Sequence, residues 1–289
     1  MLGRILTLLP LCLVLACSSH RLDSKRVIVV EPKSPQPIAG ALNDLDKIIK
    51  KGNLRVGVKK HAPPFSVKND KGKYVGFDID MAKALASYLE VTLELVPLDS
   101  KDRIKFLDKN KVDLVIATMT ITRSREEKVD FSIPYFQDGQ ALLGLKSNEI
   151  DGYRGLKGKK VGVVDGTTSQ SNMPQVQPNC EVVAFKTPQS ALDSLVKGEV
   201  DAFTSDGMML IGLTLTHEKK DDLEVKGDKF TVEPYGVAIR QNQSKLRDAV
   251  NEGIMEFWET GSWKNQYEQW FGENTPYHGK NYFTVDLID

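Results

Sequence analysis

The sequence predicts an α/β protein with two domains, and three observations support that prediction. The 289 residues exceed what one small core needs, since a domain commonly holds about 100–200 residues. Short apolar segments alternate with amphipathic ones, which is the order that builds parallel sheets flanked by helices. The alternation restarts near residue 140, so the chain contains two halves of the same kind.

The overall composition excludes several classes of protein. The 39 lysines and arginines match the 39 aspartates and glutamates, so the chain lacks the net positive charge typical of nucleic-acid binding. Charged residues make up 27% of the chain without a long run of one sign, which argues against a disordered tail. The long apolar run is confined to residues 1–17, so the sequence does not predict a multi-span membrane protein.

That apolar run, MLGRILTLLPLCLVLA over residues 1–16, predicts an export signal peptide. Arg4 supplies the positive start, and Ala16 is the small residue expected before a cleavage site. Residues 14–17, VLAC, resemble the bacterial lipoprotein box, in which the signal is removed before a cysteine that receives a lipid. We therefore expect Cys17 to be lipidated and to anchor the protein at the extracytoplasmic face of a bacterial cell membrane. An uncleaved anchor or a mistaken start is the alternative.

Residues 17–43 are polar and carry three closely spaced prolines, which predicts an extended tether after the lipidated cysteine. Cys12 leaves with the signal and Cys17 takes the lipid, so Cys180 alone cannot form a disulfide framework. A catalytic nucleophile is the alternative for Cys180. No histidine lies near it in sequence, which favours a structural role in a loop before a strand.

From residue 44 onward, hydrophobic spacing predicts the elements of the first half. A helix over 44–51 has lysines in its last turn and glycine just past its end, which is a helix stop. A helix over 78–89 is amphipathic and has acidic residues in its first turn. The run VDLVIA at 112–117 is apolar almost throughout, as in a strand buried on both faces. The other elements expected here are strands over 54–58 and 92–98 and a short helix over 104–109.

The same rhythm predicts the second half. Trp258, Trp263 and Trp270 recur at helical spacing near the end of the chain, which indicates core packing rather than a cofactor site. The expected elements are strands over 140–146, 160–164, 181–185, 201–204, 231–232 and 235–240, a helix over 190–197 and a helical segment over 245–271.

Nine short segments form a recognisable series along the chain. They are LRVGV (54–58), PPF (63–65), YVGFDIDM (74–81), VDLVIATMTITRSR (112–125), VDFSIPY (129–135), VGVVDGTTS (161–169), VDAFTSD (200–206), YGVAI (235–239) and WFG (270–272). In this order they resemble the extracytoplasmic polar amino-acid-binding proteins, the solute receptors of ABC importers (bacterial solute-binding protein family 3). The resemblance covers nearly all of residues 45–272.

The resemblance implies a two-lobed periplasmic-binding-protein-like fold (type II) with two crossing strands as hinge. Lobe 1 is expected over 44–143 plus 236–289, and lobe 2 over 144–235. An amino acid is expected in the cleft between the lobes, with the permease of an ABC importer as the protein partner. We expect the receptor to be a monomer.

Arg125 is the candidate for binding the ligand α-carboxylate. Taking an amino-acid zwitterion out of water is unfavourable unless both charges are paired. A guanidinium at a helix start, three residues after Thr122, can hold a carboxylate through two parallel hydrogen bonds. The family pattern Thr-x-Thr-x-x-Arg matches Thr120, Thr122 and Arg125. The resemblance implies that Arg125, Thr120 and Thr118 contact the ligand, whereas Arg123 is expected to be a solvated charge.

Two further positions complete the predicted site. Residues 166–169, GTTS, follow a strand and precede a helix, where free N–H groups can bind an anion; a plain turn is the alternative. The resemblance implies that Thr168 donates its N–H to the ligand carboxylate from lobe 2, with Ser169 beside it. Asp206 follows a strand at the carboxyl end of a sheet, where α/β proteins bind ligands. The resemblance assigns Asp206 to the ligand ammonium, and a helix cap is the alternative.

The ligand side chain is predicted from the first strand and the segment after the second. Many relatives have an aromatic residue where this chain has Ala62, which cannot stack on a ligand. Lys59 ends the first strand. Arg103 lies in DSKDRIKFL, which resembles the Asn-Arg-Ile element of glutamate and aspartate receptors. Two cations suit a dicarboxylate and disfavour a cationic amino acid, so we expect glutamate or aspartate, then glutamine. Exposed helix or strand-end charges are the alternative for Arg103 and Lys59.

Two other functions stay open on the sequence alone. A dehydratase on the same fold needs a general acid in the cleft, and His61 is the one candidate found near the predicted site in sequence. Hydrolase, P-loop, zinc-protease and paired-cysteine motifs are absent, so no enzyme activity, metal or cofactor is expected. A ligand-sensing subunit of a signalling system is the second alternative, which differs from a transport receptor in its membrane partner.

Overall fold

Two five-stranded sheets with flanking helices organise the chain. They are seen in a computed structural model, which describes residues 43–278. The helices are α1 (Asp44–Lys51), α2 (Phe77–Tyr88), α3 (Arg103–Asp108), α4 (Arg123–Glu126), α5 (Thr168–Val176), α6 (Pro188–Val196), α7 (Gly207–Leu215), α8 (Ser244–Glu259) and α9 (Ser262–Phe271). The strands are β1 (Asn53–Lys59), β2 (Val67–Lys68), β3 (Tyr74–Val75), β4 (Thr92–Leu98), β5 (Leu114–Val115), β6 (Val129–Phe131), β7 (Phe136–Asp138), β8 (Gln140–Leu145), β9 (Lys160–Val164), β10 (Glu181–Phe185), β11 (Ala202–Asp206), β12 (Leu223–Lys226), β13 (Glu233–Tyr235) and β14 (Ala238–Arg240).

Both sheets are mixed, with a parallel core. The first sheet has the order β4-β1-β5-β14-β6, in which β1 runs parallel to β4 and β5. The second has the order β10-β9-β11-β8-β12, in which β9 runs parallel to β10 and β11. Strands β14 and β8 are antiparallel to their neighbours. The predicted α/β class is therefore confirmed.

A separate antiparallel pair, β7 with β13, lies in sequence between the two sheets. The chain leaves the first sheet after β6, runs through β7 and enters the second sheet at β8. It returns from β12 through β13 to β14. The register pairs Glu233 with Asp138 and Tyr235 with Phe136, so the two segments that connect the sheets are paired with each other.

Most predicted elements are confirmed within a few residues. The bounds of α1, β4, β9 and β10 agree with the prediction. Only Leu114–Val115 of the predicted strand 112–117 forms a ladder, although its apolar side chains are buried as expected. Helix α7 was not predicted as an element, because apolar residues occupy every side of it and leave no amphipathic period.

Three predictions near the end of the chain are wrong in detail. No strand forms at 231–232, because pairing with β7 begins at Glu233. The strand expected over 235–240 is interrupted, since Tyr235 pairs with β7 whereas Ala238 pairs with β5 and β6. The helical segment over 245–271 is two helices, because Gly261 adopts a left-handed conformation with φ of 72° between them.

The tryptophans pack in the core, as predicted. Trp263 is buried, stacks on Trp258 with ring centroids 3.8 Å apart, and donates its indole N–H to the Tyr135 carbonyl over 3.1 Å. Trp270 is partly buried and donates to an Asp80 carboxylate oxygen over 2.8 Å. These contacts hold α9 against the segment after β6 and against α2, with α8 packed on α9 through the two stacked rings.

Some predictions fall outside the described residues. They are the signal peptide at 1–16, lipidation of Cys17 and nearly all of the tether at 17–43. Within 43–278, none of the helices is long and apolar enough to span a membrane. Cys180 lies half-buried in the turn just before β10, in the loop position that was predicted for it.

Candidate functional site

The candidate site lies where the carboxyl ends of the two parallel cores face each other. Lys59 ends β1, and residues 118–120 follow β5 in the first sheet. Residues 166–169 follow β9, and Asp206 ends β11 in the second. Arg103 joins the two sides, because its guanidinium donates to the carbonyls of Thr118 at 3.1 Å and Gly166 at 3.0 Å.

Arg125 is held by a capped helix start. Thr122 is the N-cap of α4, and its hydroxyl accepts the Arg125 backbone N–H over 3.3 Å. The Arg125 guanidinium donates to the Thr120 carbonyl over 2.7 Å and to the Gly166 carbonyl over 3.4 Å. Burial lowers the pKa of Arg125, and the charges of Glu233 and Asp206 act against that shift. Arg123, which was expected to be a solvated charge, is exposed.

Thr118 is fixed in an unusual conformation. Its φ of 42° is left-handed, which a β-branched residue adopts rarely. The carboxylate of Asp78 accepts the Thr118 N–H over 2.9 Å and the Tyr135 hydroxyl over 2.8 Å. Burial raises the pKa of Asp78 to about 6. Among the described residues, the buried Thr118 hydroxyl oxygen has no hydrogen-bond partner, so it is available to a ligand.

Asp206 occupies the N-cap position of α7, yet its side chain does not cap the helix. Its carboxylate accepts the Tyr235 hydroxyl over 2.7 Å. The N–H of Met208 in the first turn of α7 is instead accepted by Asp138 over 3.0 Å. The capping alternative for Asp206 is therefore incorrect, and this buried carboxylate keeps acceptor capacity for a ligand cation.

Thr168 and Ser169 open helix α5, and both are buried. The Thr168 hydroxyl donates to a Glu233 carboxylate oxygen over 3.0 Å. This hydrogen bond ties the start of α5 to β13.

Glu233 is a residue of this site that the sequence analysis missed. It is 2% exposed, and its carboxylate accepts hydrogen bonds from the Thr168 hydroxyl over 3.0 Å and from the Gln140 amide over 2.7 Å. Burial and the nearby Asp206 raise the pKa of Glu233, and its hydroxyl donors act against that rise. The local sequence gave no sign of the contact between Glu233 and Thr168, because 65 positions separate these two residues. Its place before the recognised YGVAI segment was the available signal.

Lys59 is a buried cation. Lys59 is only 4% exposed, and its ammonium lies 3.6 Å from the Met209 sulfur on α7. Within residues 43–278 it forms no ion pair with a carboxylate. Burial, with repulsion from Arg103, lowers the pKa of Lys59 to about 7. A cavity of about 70 Å³ lies beside it, lined also by His61 and Lys186.

Arg103 is also buried, but unlike Lys59 its side chain is engaged in hydrogen bonds to backbone carbonyls. Its guanidinium donates to the carbonyls of Ser100, Ala117, Thr118 and Gly166 over 2.9 to 3.1 Å. These bonds use most of the five N–H donors that a guanidinium has. The exposed-charge alternative is therefore wrong for both Arg103 and Lys59, although Arg103 keeps fewer donors for a ligand. Burial lowers the pKa of Arg103 to about 9.

Ala62, which follows β1 of the first sheet, packs against residues of the second sheet and its helices. It is fully buried in an apolar cluster with Val164 and Met209. No aromatic ring occupies this position, as the sequence indicated.

Comparison with known proteins gives consistent matches over most of the chain. Residues 54–273 match the model of the bacterial extracellular solute-binding proteins, family 3. The ABC transporter glutamine-binding protein GlnH of Bacillus subtilis is 33% identical over 275 residues, which covers 93% of this chain and 96% of GlnH. The L-cystine-binding protein TcyJ of Escherichia coli K12 is 36% identical, over 79% of this chain and 86% of TcyJ.

A solved structure is similar as well. It is an ancestral arginine-binding protein bound to glutamine, with a TM-score of 0.74 and 41% identity. The match covers 77% of this chain and 99% of that one.

Proposed function

The chain belongs to the bacterial extracellular solute-binding proteins, family 3, and we propose that its solute is a polar amino acid delivered to an ABC importer. Membership makes it a binding protein rather than an enzyme, since similar proteins are solute receptors. Those relatives are named for glutamine and cystine, so an amino-acid ligand follows from likeness, and the choice of amino acid needs evidence from this chain.

The α-amino-acid end of the ligand is proposed to bind between Arg125 and Asp206. The half-buried guanidinium pairs with the carboxylate, together with the N–H groups at Thr120 and Thr168. The buried Asp206 carboxylate and the unpartnered hydroxyl of Thr118 accept from the ammonium. Both ligand charges are then paired, which is the condition for taking a zwitterion out of water.

The observation that supports an acidic side chain is the buried ammonium of Lys59. A buried charge without a carboxylate partner is unfavourable, and a ligand carboxylate would compensate it. Arg103 can add at most the one donor that its carbonyl contacts leave. We therefore propose glutamate or aspartate as the ligand, then glutamine, and Lys59 as the main contact to the distal group.

Isothermal titration of the purified protein against the twenty amino acids and cystine tests this proposal. We expect the tightest binding from glutamate or aspartate. Lys59→Met keeps the length of the side chain and removes its charge, so it should weaken glutamate by at least about tenfold and glutamine by less. Lys60→Met is the matched control, because Lys60 is exposed and already paired with Asp99 at 2.8 Å. Preferential binding of arginine or an apolar amino acid would contradict the acidic ligand.

The pH dependence of binding follows from the same residue. Lys59 is charged below its pKa of about 7 in the unliganded protein and neutral above it. Arg103 and Arg125 disfavour its charge, while Asp206 and Asp78 favour it. A ligand carboxylate raises this pKa, so glutamate affinity should be constant below about pH 7 and fall as the pH rises above that value. Lys59→Met should abolish that fall, and an unchanged pH profile would exclude Lys59 as the contact.

The remaining features complete the proposed receptor. We propose that Cys17 carries the lipid anchor, that the receptor is a monomer, and that the permease of the importer is its partner. The sequence led us to expect lobe 1 over 44–143 plus 236–289. Because β8 belongs to the second sheet, we propose instead that the first crossing is at β7 and that lobe 1 spans 44–135 plus 236–278 of the described residues. A signalling partner in place of an importer is the remaining alternative.

A further inference from the structure

The buried guanidinium of Arg103 lies where two loops from different sheets come together. One is the turn after β4, which contains Ser100 and Lys101, and the other is the loop after β9, which contains Gly166. The Arg103 Nε donates to the Ser100 carbonyl over 2.9 Å, and Nη2 donates to the Gly166 carbonyl over 3.0 Å. A single side chain therefore connects a loop of the first sheet to a loop of the second.

The same guanidinium also fixes the segment after β5. Its Nη1 donates to the carbonyls of Ala117 and Thr118 over 3.0 and 3.1 Å. Thr118 is one of the residues proposed above to contact the ligand ammonium. Because a planar guanidinium holds its donors in fixed directions, Arg103 sets the position of Gly166 relative to Thr118.

Other contacts join the same two loops, and they show how close the loops are. Gly166 has a φ of 76°, and a Cβ at this position would lie 2.5 Å from the Lys101 Cα. The Lys101 ammonium lies 3.6 Å from Asp165, but these side chains are 42% and 40% exposed, so the pair contributes little. The bond from Arg125 to the Gly166 carbonyl is longer, at 3.4 Å. Arg103 is therefore the main polar link at this junction.

We propose that Arg103 is a positioning residue that holds the two sheets together over a bound amino acid, and that it slows ligand release without selecting the distal group of the ligand. This inference rests on the proposed function, because it takes an amino acid bound between the two sheets as the ligand. It differs from the role that the likeness to glutamate and aspartate receptors implies, in which this arginine meets the distal carboxylate.

The use of its donors supports this role for Arg103. Four of the five N–H groups of the guanidinium already donate to backbone carbonyls. A distal carboxylate would find only one free N–H there, whereas the ammonium of Lys59 forms no ion pair within residues 43–278. Lys59 therefore remains the cation for the distal group, and Arg103 acts on every ligand alike.

Stopped-flow kinetics on the full-length protein with L-glutamate and L-glutamine test this role. Arg103→Lys keeps the positive charge, but a single ammonium cannot reproduce the fork that reaches both Thr118 and Gly166. We expect the dissociation rate constants of both amino acids to rise by at least about fivefold and by the same factor. The association rate constants should change less, whereas a damaged binding site would also slow association. Arg123→Lys is the matched control, because Arg123 is exposed, and it should alter neither rate constant.

Gly166→Ala tests the same junction from the second sheet. It leaves Arg103 in place and adds a methyl group against Lys101, so it should separate the loops and speed the release of both amino acids equally. This variant keeps the test available if Arg103→Lys does not fold. Faster release of glutamate alone in Arg103→Lys would show that the guanidinium binds the distal carboxylate, and unchanged release in both variants would also overturn the proposal. Failure of the wild-type protein to bind any amino acid would instead contradict the proposed function.

Discussion

At the scale of single residues, Arg125 and Arg123 form a natural comparison two positions apart. The Thr122 cap turns Arg125 toward the site, where its guanidinium reaches Gly166 of the opposite side, whereas Arg123 is exposed. A hydrogen bond to a charged group contributes about 1.5–3 kcal/mol. Only the side chain that reaches the ligand should therefore matter to binding.

Arg125→Ala should weaken binding of L-glutamate or L-glutamine by at least about tenfold, equivalent to about 1.4 kcal/mol. Arg123→Ala should change it little. Calorimetry on both variants measures this directly. The reverse order would show that the ligand carboxylate is bound elsewhere.

At the scale of the elements, helix α7 depends on an acceptor from the crossing strand β7. Asp138 accepts the Met208 N–H over 3.0 Å and contacts the Lys229 ammonium at 2.6 Å, while its own side chain is fully buried. Burial and the charge of Asp206 raise the pKa of Asp138 to about 6, although Lys229 opposes that shift. Asp138 therefore satisfies an N–H of the helix start, and the Asp206 carboxylate in the N-cap position is not used by the helix.

Asp138→Ala should lower the free energy of unfolding by roughly 1–3 kcal/mol, because a buried N–H loses its acceptor. Asp248→Ala is the matched control: it changes an exposed aspartate on α8, and its effect should stay within about 0.5 kcal/mol. Urea denaturation followed by circular dichroism measures both. Equal stabilities of the two variants would mean that β7 does not support α7.

At the scale of the whole molecule, the loop after β9 approaches the turn after β4 closely at Gly166. Its φ is 76°, and a Cβ there would lie 2.5 Å from the Lys101 Cα on the other side. The close approach lets Arg103 and Arg125 both reach the Gly166 carbonyl. The site is therefore assembled from both sheets, and ligand binding is expected to strengthen their contact.

The position of the protein in the cell depends on the segment before the described residues. If Cys17 carries the anchor, Cys17→Ala should move the protein from the membrane fraction to the soluble fraction of cells that process lipoproteins. Cys180→Ala should leave it in the membrane fraction. Labelled palmitate that fails to enter the wild-type protein would contradict lipidation.

The sequence by itself determined the α/β class, the majority of the elements and the family. Hydrophobic period and local motifs are properties of neighbouring residues, and Thr122, Arg125 and Asp206 could be selected because each lies at a recognisable element end. Local signals also misjudged the region after residue 230. There the strand limits depend on which strand each residue pairs with. Tyr235, before Gly236, pairs with β7, whereas Ala238, after it, pairs with β5, and these partner strands are distant in sequence.

Only the tertiary structure decided which charges are buried and which groups meet. In the folded chain Lys59 is buried against Met209, and Arg103 donates to backbone carbonyls from both sides. The N–H of Met208 at the start of α7 is accepted by Asp138 rather than by Asp206. The tertiary structure also brought Glu233 to Thr168. Burial and hydrogen bonding between residues far apart in the chain arise from the packing of both sheets, so no local pattern encodes them.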